Sequence, residues 1–310
     1  MNCSSTKYFH FLAFSGNLSI KHFLSGVFFF IYFIGLLLNV FIVMVICLDY
    51  QLHTPLYVLL CNLSIVDVSY TTIVLPKLLD MLLSGKTIMT YLQCFTQMFF
   101  LILAVGTENM ILALMAYDRY VAICDPLNYH HIFGTKKCVL IMIGVVFLAC
   151  LNSIFFTYST SFMSFCHSTT IQQFFCDAKA LTKISCTGAE IFFTVFGVEA
   201  MFFGLGPFLC SLMSYIKIIS VILHIKSKDR RKKAFFTCSS HPIVIIMYFG
   251  AGVSVYTIPS SSNTNIMEQV FSALYTTVAP MLTPLIYSLQ NTDVKKAIGR
   301  QLGLDLKATM

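Results

Sequence analysis

Residues 23–48 contain no Asp, Glu, Lys or Arg, and this stretch limits the possible folds more than any other. About 20 consecutive apolar residues cross the hydrocarbon core of a bilayer as a helix. Inside lipid every peptide group must find its hydrogen bond within the protein. Further apolar stretches follow at 54–83, interrupted only by Asp67, Lys77 and Asp80; at 92–124, carrying Glu108 and, near its end, Asp118 and Arg119; at 139–162, uncharged; at 190–225, with Glu199 inside; and at 234–259 and 270–289, both uncharged. The chain has only 11% charged residues, against about 25% for an ordinary soluble domain. The pattern predicts an all-α membrane protein: a seven-transmembrane helix bundle over 23–289, an arm at 1–22, and a tail at 290–310. In the tail, 291–303 reads as a short amphipathic helix. It turns Lys295, Lys296 and Arg300 toward headgroups and Val294, Ala297, Ile298 and Leu302 toward lipid.

The net charge of +7 does not point to nucleic acid, because it is distributed as a membrane topology signal. With the N-terminus outside, the inner segments hold Arg119, Lys136, Lys137, Lys217, the basic run 226–233, Lys295, Lys296, Arg300 and Lys307. The outer segments hold only Lys7, Lys21, Lys77, Lys86, Lys179 and Lys183. The excess lies inside. The basic run serves that topology and attracts anionic lipid; it also offers a docking surface for a cytoplasmic partner. Residues 1–17 are mixed and polar, so the first helix is expected to be its own targeting signal. The sequon at Asn2 is the expected glycan site, ahead of Asn17, which lies close to the first helix; Asn62 matches the pattern but falls inside a helix. The 12 Cys show no paired zinc spacing. No internal repeat appears, which weighs against a secondary transporter. His241 beside Cys238, Ser239 and Ser240 is one local string without an orienting carboxylate, which weighs against an enzyme.

Ionisable residues inside membrane helices mark function by default. Asp67 and Glu108 lie mid-helix. They fit a sodium ion or a shared proton, and equally two protonated acids bonded to neighbours such as Asn39. Asp118 and Arg119 are placed to pair at the inner end of the third helix. Glu199, in the outer half of the fifth, suits either a polar or basic ligand or a bond to a neighbouring helix.

The string Met115-Ala116-Tyr117-Asp118-Arg119-Tyr120-Val121-Ala122-Ile123-Cys124, followed by Pro126-Leu127, closely resembles the third-helix signature of vertebrate odorant receptors of the tetrapod-type class, which are rhodopsin-like G-protein-coupled receptors. The other marks come in order: Gly35 and Asn39; Leu52-His53-Thr54-Pro55-Leu56-Tyr57; Asn62-Leu63-Ser64 with Asp67; Thr107-Glu108; Ser214-Tyr215; Lys233-Ala234-Phe235-Phe236-Thr237-Cys238-Ser239-Ser240-His241; and Pro280-Met281-Leu282-Thr283-Pro284-Leu285-Ile286-Tyr287. The resemblance runs from Tyr8 to Ile298. Thr283 stands where Asn is usual, Phe236 where Ser is usual, and Phe249 where Tyr is common. Pro242 stands where an aliphatic residue is usual and is expected to kink the sixth helix.

The resemblance implies disulfides Cys94–Cys176 and Cys166–Cys186 on the oxidising outer face. It implies a cavity for small volatile odorants walled by Leu101, Ile102, Val105, Gly106, Glu199, Phe203, Val253, Tyr256, Ala273 and Thr276. It assigns coupling to a stimulatory G protein, with a rise in cyclic AMP, to Asp118, Arg119, Tyr120, Tyr215, Lys233, Pro284 and Tyr287. No organic cofactor is expected, only a possible sodium ion at Asp67 and Glu108. The expected location is the plasma membrane of olfactory sensory neuron cilia, with the N-terminus extracellular.

Overall fold

The computed structural model describes residues 8–14, 17–165, 169–187, 189–257 and 265–301. Asn2, Cys166, Leu302 and Lys307 therefore lie outside the described residues, as do the side chains of Lys233, Phe236 and Tyr256. The chain is an all-α membrane bundle. The first four spans are α1 (Leu18–Leu48), α2 (Pro55–Ser84), α3 (Tyr91–Cys124) and, after the short α4 (Tyr129–Ile132), α5 (Thr135–Ser161). The connection to the fifth span carries α6 (Ala178–Ile184). The fifth span is α7 (Ala189–Glu199) and α8 (Gly206–Leu223), joined by a π-helical segment (Ala200–Leu205). The sixth is α9 (Lys228–Thr257). The seventh is α10 (Asn265–Ala273) and α11 (Ala279–Gln290), joined by a second π segment (Leu274–Val278); α12 (Thr292–Gln301) follows. Six of the spans are long and apolar enough to cross a membrane, and α9 contributes a shorter apolar stretch, Cys238–Ser254.

Local chemistry sets the boundaries. Pro55 opens α2, where its missing N–H costs nothing, and Gly85, at φ 70°, closes it in the left-handed conformation. A capping box opens α3: Thr90 Oγ1 accepts from the Gln93 amide and Gln93 Oε1 accepts from the Thr90 amide. Four spans start four to six residues earlier than the hydropathy predicts, α1 at Leu18 and α10 at Asn265 among them. α5 begins at Thr135 and α9 at Lys228, because Lys and Arg are good helix formers and their heads stay in water while their stems run along the helix. The expected basic loop is thus largely the first turns of the sixth span. Pro242 sits inside α9, and the helix runs through it.

Strands formed outside the bundle were not anticipated. β1 (Tyr8–Phe11) lies between β2 (Ile88–Thr90), antiparallel, and β3 (Thr170–Ile171), parallel. Its alternation buries Phe9 and Phe11 and exposes Tyr8 and His10. The Phe9 ring meets Phe165 edge-on at 5.2 Å. Gln269 of α10 holds the arm from the other side: its Oε1 accepts from the Phe14 amide at 2.8 Å and its Nε2 donates to the Leu12 carbonyl at 2.7 Å. This end of the bundle is the arm face below.

At the opposite, basic face, α12 is tied to the turn after α1. Arg300 Nε donates to Asp49 Oδ2 at 2.9 Å, and Asp49 Oδ1 accepts from the Gln51 amide at 3.0 Å. Tyr57 donates to Asn291 Oδ1 at 3.0 Å. Desolvation pushes the Asp49 carboxyl up, but hydrogen bonds from Arg300 and the Gln51 amide outweigh it and hold the group below its ordinary value. A depressed folded pKa contributes stability above the unfolded value, about 3.9 for Asp, that disappears as pH falls through the folded one. Asp49→Asn is therefore expected to raise deuterium uptake over α12 at neutral pH. The wild type should show the same loosening only below about pH 4.

Candidate functional site

A cavity opens beneath the arm face, with about 670 Å³ of empty space, part of it open to solvent. Its walls are mostly apolar. α3 supplies Leu101, Ile102 and Val105 at helical spacing, the fifth span supplies Phe196 and Glu199, and the seventh supplies Ser272 and Tyr275. The connection carrying α6 lies over it as a lid and supplies Phe175 and Asp177. The disulfide Cys94–Cys176 pins that lid to α3 across 82 residues. Gln97 adds a second tether, with Oε1 accepting from the Cys176 amide at 2.8 Å and Nε2 donating to the Ile73 carbonyl at 2.9 Å. The Cys186 amide donates to the Ser164 carbonyl at 2.8 Å. Because Cys166 lies outside the described residues, the second bridge stays an expectation.

Of the expected wall residues, Leu101, Ile102, Val105 and Glu199 line this cavity. Gly106 and Phe203 meet beside it: a Cβ on Gly106 would come within 3.2 Å of the Phe203 ring, so the missing side chain lets the fifth span approach α3. Ala273 and Thr276 are buried next to the lining Ser272 and Tyr275, where the π segment shifts the helical phase. Val253 is 59% exposed and is not among the described residues that line this cavity. Five residues beyond the buried Tyr248, it is rotated roughly 140° away from that face at 100° per residue. Asp177 was not foreseen. It sits at the N-cap of α6 with Oδ2 accepting from the Ala180 amide at 3.3 Å, and burial pushes its carboxyl up against the pull of that hydrogen bond. Its position directly after a bridged cysteine was the available signal.

Deeper in the bundle, Asp67 Oδ1 accepts from Tyr248 Oη at 2.9 Å, and Tyr248 Oη lies 3.1 Å from Thr283 Oγ1. Thr283 thus joins the network that the usual Asn would complete. Asn39 does not bond the acids: its Nδ2 donates to the carbonyls of Gly35 and Pro280, at 2.9 and 3.1 Å, and ties the first span to the seventh. Asp67 Oδ2, both Glu108 oxygens, Asn39 Oδ1 and Ser64 Oγ are buried without a hydrogen-bond partner.

Near the basic face, Arg119 Nε and Nη2 donate to Asp118 Oδ2 at 3.0 and 2.6 Å, and Tyr129 of α4 donates to Asp118 Oδ1 at 2.8 Å. Tyr120 packs in the cluster formed by Tyr215, Ile218 and Ile222. His241 contacts Tyr287 Oη through Nδ1 and the Leu112 carbonyl through Nε2, joining three spans. Pro284 lies inside α11.

Tyr248→Phe leaves the buried Asp67 without its donor. It is expected to cost about 1–3 kcal/mol, read as a lower unfolding temperature of the detergent-solubilised protein. An unchanged temperature would remove Tyr248 as the anchor of this network.

A family model described as Olfactory receptor matches residues 28–304. The chain is 41% identical to Olfactory receptor 8D1 of Homo sapiens over 88% of each chain, and 38% identical to Olfactory receptor 1L4 of Homo sapiens over 95% of each. It is also 38% identical to Olfactory receptor 1 of Rattus norvegicus, over 90% of this chain and 89% of that one. A match of this length, on a multi-pass helical bundle with a disulfide-pinned lid, means that the chain belongs to the olfactory receptor family, whose members are G-protein-coupled receptors and not enzymes.

Proposed function

We propose that this receptor binds small volatile odorants in the cavity under the lid and activates a stimulatory G protein of the olfactory type, raising cyclic AMP. The observation that carries the reading is a largely apolar cavity with few polar groups, placed in a chain that matches the family over nearly its full length. Small ligand sites have this character, and each buried methylene contributes about 0.8 kcal/mol, which suits a sensor of transient molecules. The arm face is extracellular, with a glycan at Asn2, and the basic face is cytoplasmic against anionic lipid. The receptor sits in the plasma membrane of olfactory sensory cilia.

The Tyr129–Asp118–Arg119 chain keeps Arg119 turned inward in one arrangement of the bundle. A ligand shifts the balance by as much as its affinities for the two arrangements differ. The basic-face ends of α3 and α9 then separate, and Arg119, Tyr215 and the lysines and arginines at the start of α9, Lys233 among them, meet the G protein. The unpartnered oxygens of Asp67, Glu108, Asn39 and Ser64 fit a sodium ion, which would supply the positive charge that a pair of buried acids lacks.

In cells co-expressing the stimulatory G protein, a cyclic AMP response to a volatile panel is expected in the wild type. It should disappear in Arg119→Ala at equal surface expression; a surviving response would remove Arg119 from coupling. Replacing sodium chloride by choline chloride is expected to lower the unfolding temperature of the solubilised receptor, and the difference should vanish in Asp67→Asn. Equal temperatures in the two salts would remove sodium from the site.

A further inference from the structure

We propose that the odorant recognised here carries a protonated amine, held between the carboxylates of Asp177 and Glu199. The proposal rests on the reading that the cavity under the lid is the ligand site. The two acids reach it from separate elements, Asp177 from the start of α6 and Glu199 from the end of α7, and they lie within electrostatic range of each other. Among the described residues no Lys, Arg or His lines the cavity. The lid does carry two lysines near Asp177, but both close on Glu268 of α10: Lys179 at 3.0 Å and Lys183 at 2.8 Å. Glu268 is 3% exposed, so this clamp is a built feature of the lid. It ties both ammonium heads to Glu268 outside the cavity lining, so they act on Asp177 only through space and neither cavity acid gains a direct cationic partner. Among the described residues neither Asp177 nor Glu199 makes an ion pair.

Two carboxylates in one low-dielectric space repel each other, and a buried charge without a partner is costly. An ammonium between them relieves both effects and gains charge-assisted hydrogen bonds. The remaining wall suits the rest of such a molecule. Leu101, Ile102 and Val105 offer apolar surface for a hydrocarbon skeleton, while the rings of Phe175 and Tyr275 offer faces that attract a cation. A carboxylic acid of the same skeleton is repelled, and an alcohol forgoes the charge.

The full-length receptor, purified in detergent at neutral pH, is titrated with hexylamine, cyclohexylamine and benzylamine, and with the alcohols of the same skeletons. The readout is the ligand-dependent rise in unfolding temperature. At least one amine is expected to act at a concentration about tenfold or more below that of its alcohol. Glu199→Gln and Asp177→Asn should each raise the amine concentration required by about tenfold or more, while Glu199→Asp retains the preference. Asn keeps the acceptor that caps α6, so the Asp177 variant preserves the lid. The wild-type comparison of amine with alcohol decides the matter even if a variant does not fold. Equal action of amine and alcohol, no effect of any amine, or a preference that survives in both neutral variants would overturn the proposal. A parallel cyclic AMP measurement separates the two readings: responses to neutral volatiles without amine binding overturn the amine assignment and leave the receptor intact. Amine binding without any cyclic AMP response supports the amine assignment and counts against the coupling instead.

Discussion

A peptide group in hydrocarbon has no water to bond, so each stretch that crosses the membrane must close its own hydrogen bonds as a helix. The rest of the architecture depends on that constraint. Side chains alone are left to join one helix to the next, and they do so through a few polar contacts. Asn39 reaches the Pro280 carbonyl, His241 reaches the Leu112 carbonyl, and Tyr248 reaches Asp67. Each contact uses a polar group that would be costly to leave in lipid, and each links spans far apart in sequence. Both π segments adjoin the cavity, the first just after the lining Glu199 and the second through the lining Tyr275, and π turns recur at functional positions.

The two faces of the molecule are built differently. The arm face is stitched by a disulfide, a small sheet and the Glu268 clamp, so the lid is held from several directions. The basic face is held by exchangeable contacts such as Tyr129 with Asp118 and Arg300 with Asp49. A pinned cover over the cavity and a less cross-linked opposite face suit the proposed signalling, in which a bound molecule biases the far end and does not merely deform the near one.

Apolar length made the spans legible from the sequence, and the signature around Arg119 made the family legible. Helical phase was harder. Val253 was expected in the cavity wall from its position in the family pattern, yet it is 59% exposed and is not among the described lining residues. The π segments inside two spans shift registers that hydropathy alone cannot show. Lys228 and the residues after it looked like loop because charge was read as the end of a helix, whereas long basic side chains let a helix continue into water. Asp177 went unnoticed although its neighbour Cys176 is bridged to Cys94, because that bridge was read as a pin for the lid and not as a device that brings the next residue to the cavity. The strands were invisible for a related reason. They are short, and their pairing joins residues near 10, 90 and 170.

That last pairing bears on how the protein is made. The arm is translated before both of its neighbours, yet its strand is the middle one of three, and its later neighbour is Thr170–Ile171. The grip of Gln269 on Leu12 comes later still. During synthesis the arm thus emerges well before the residues that fasten it. Meanwhile Phe9 and Phe11 stand on a strand with both edges unpaired, which is the form most prone to wrong association. A chain stalled before residue 170 would leave one edge of that strand open, and one stalled before its seventh span would lack the Gln269 grip on Leu12.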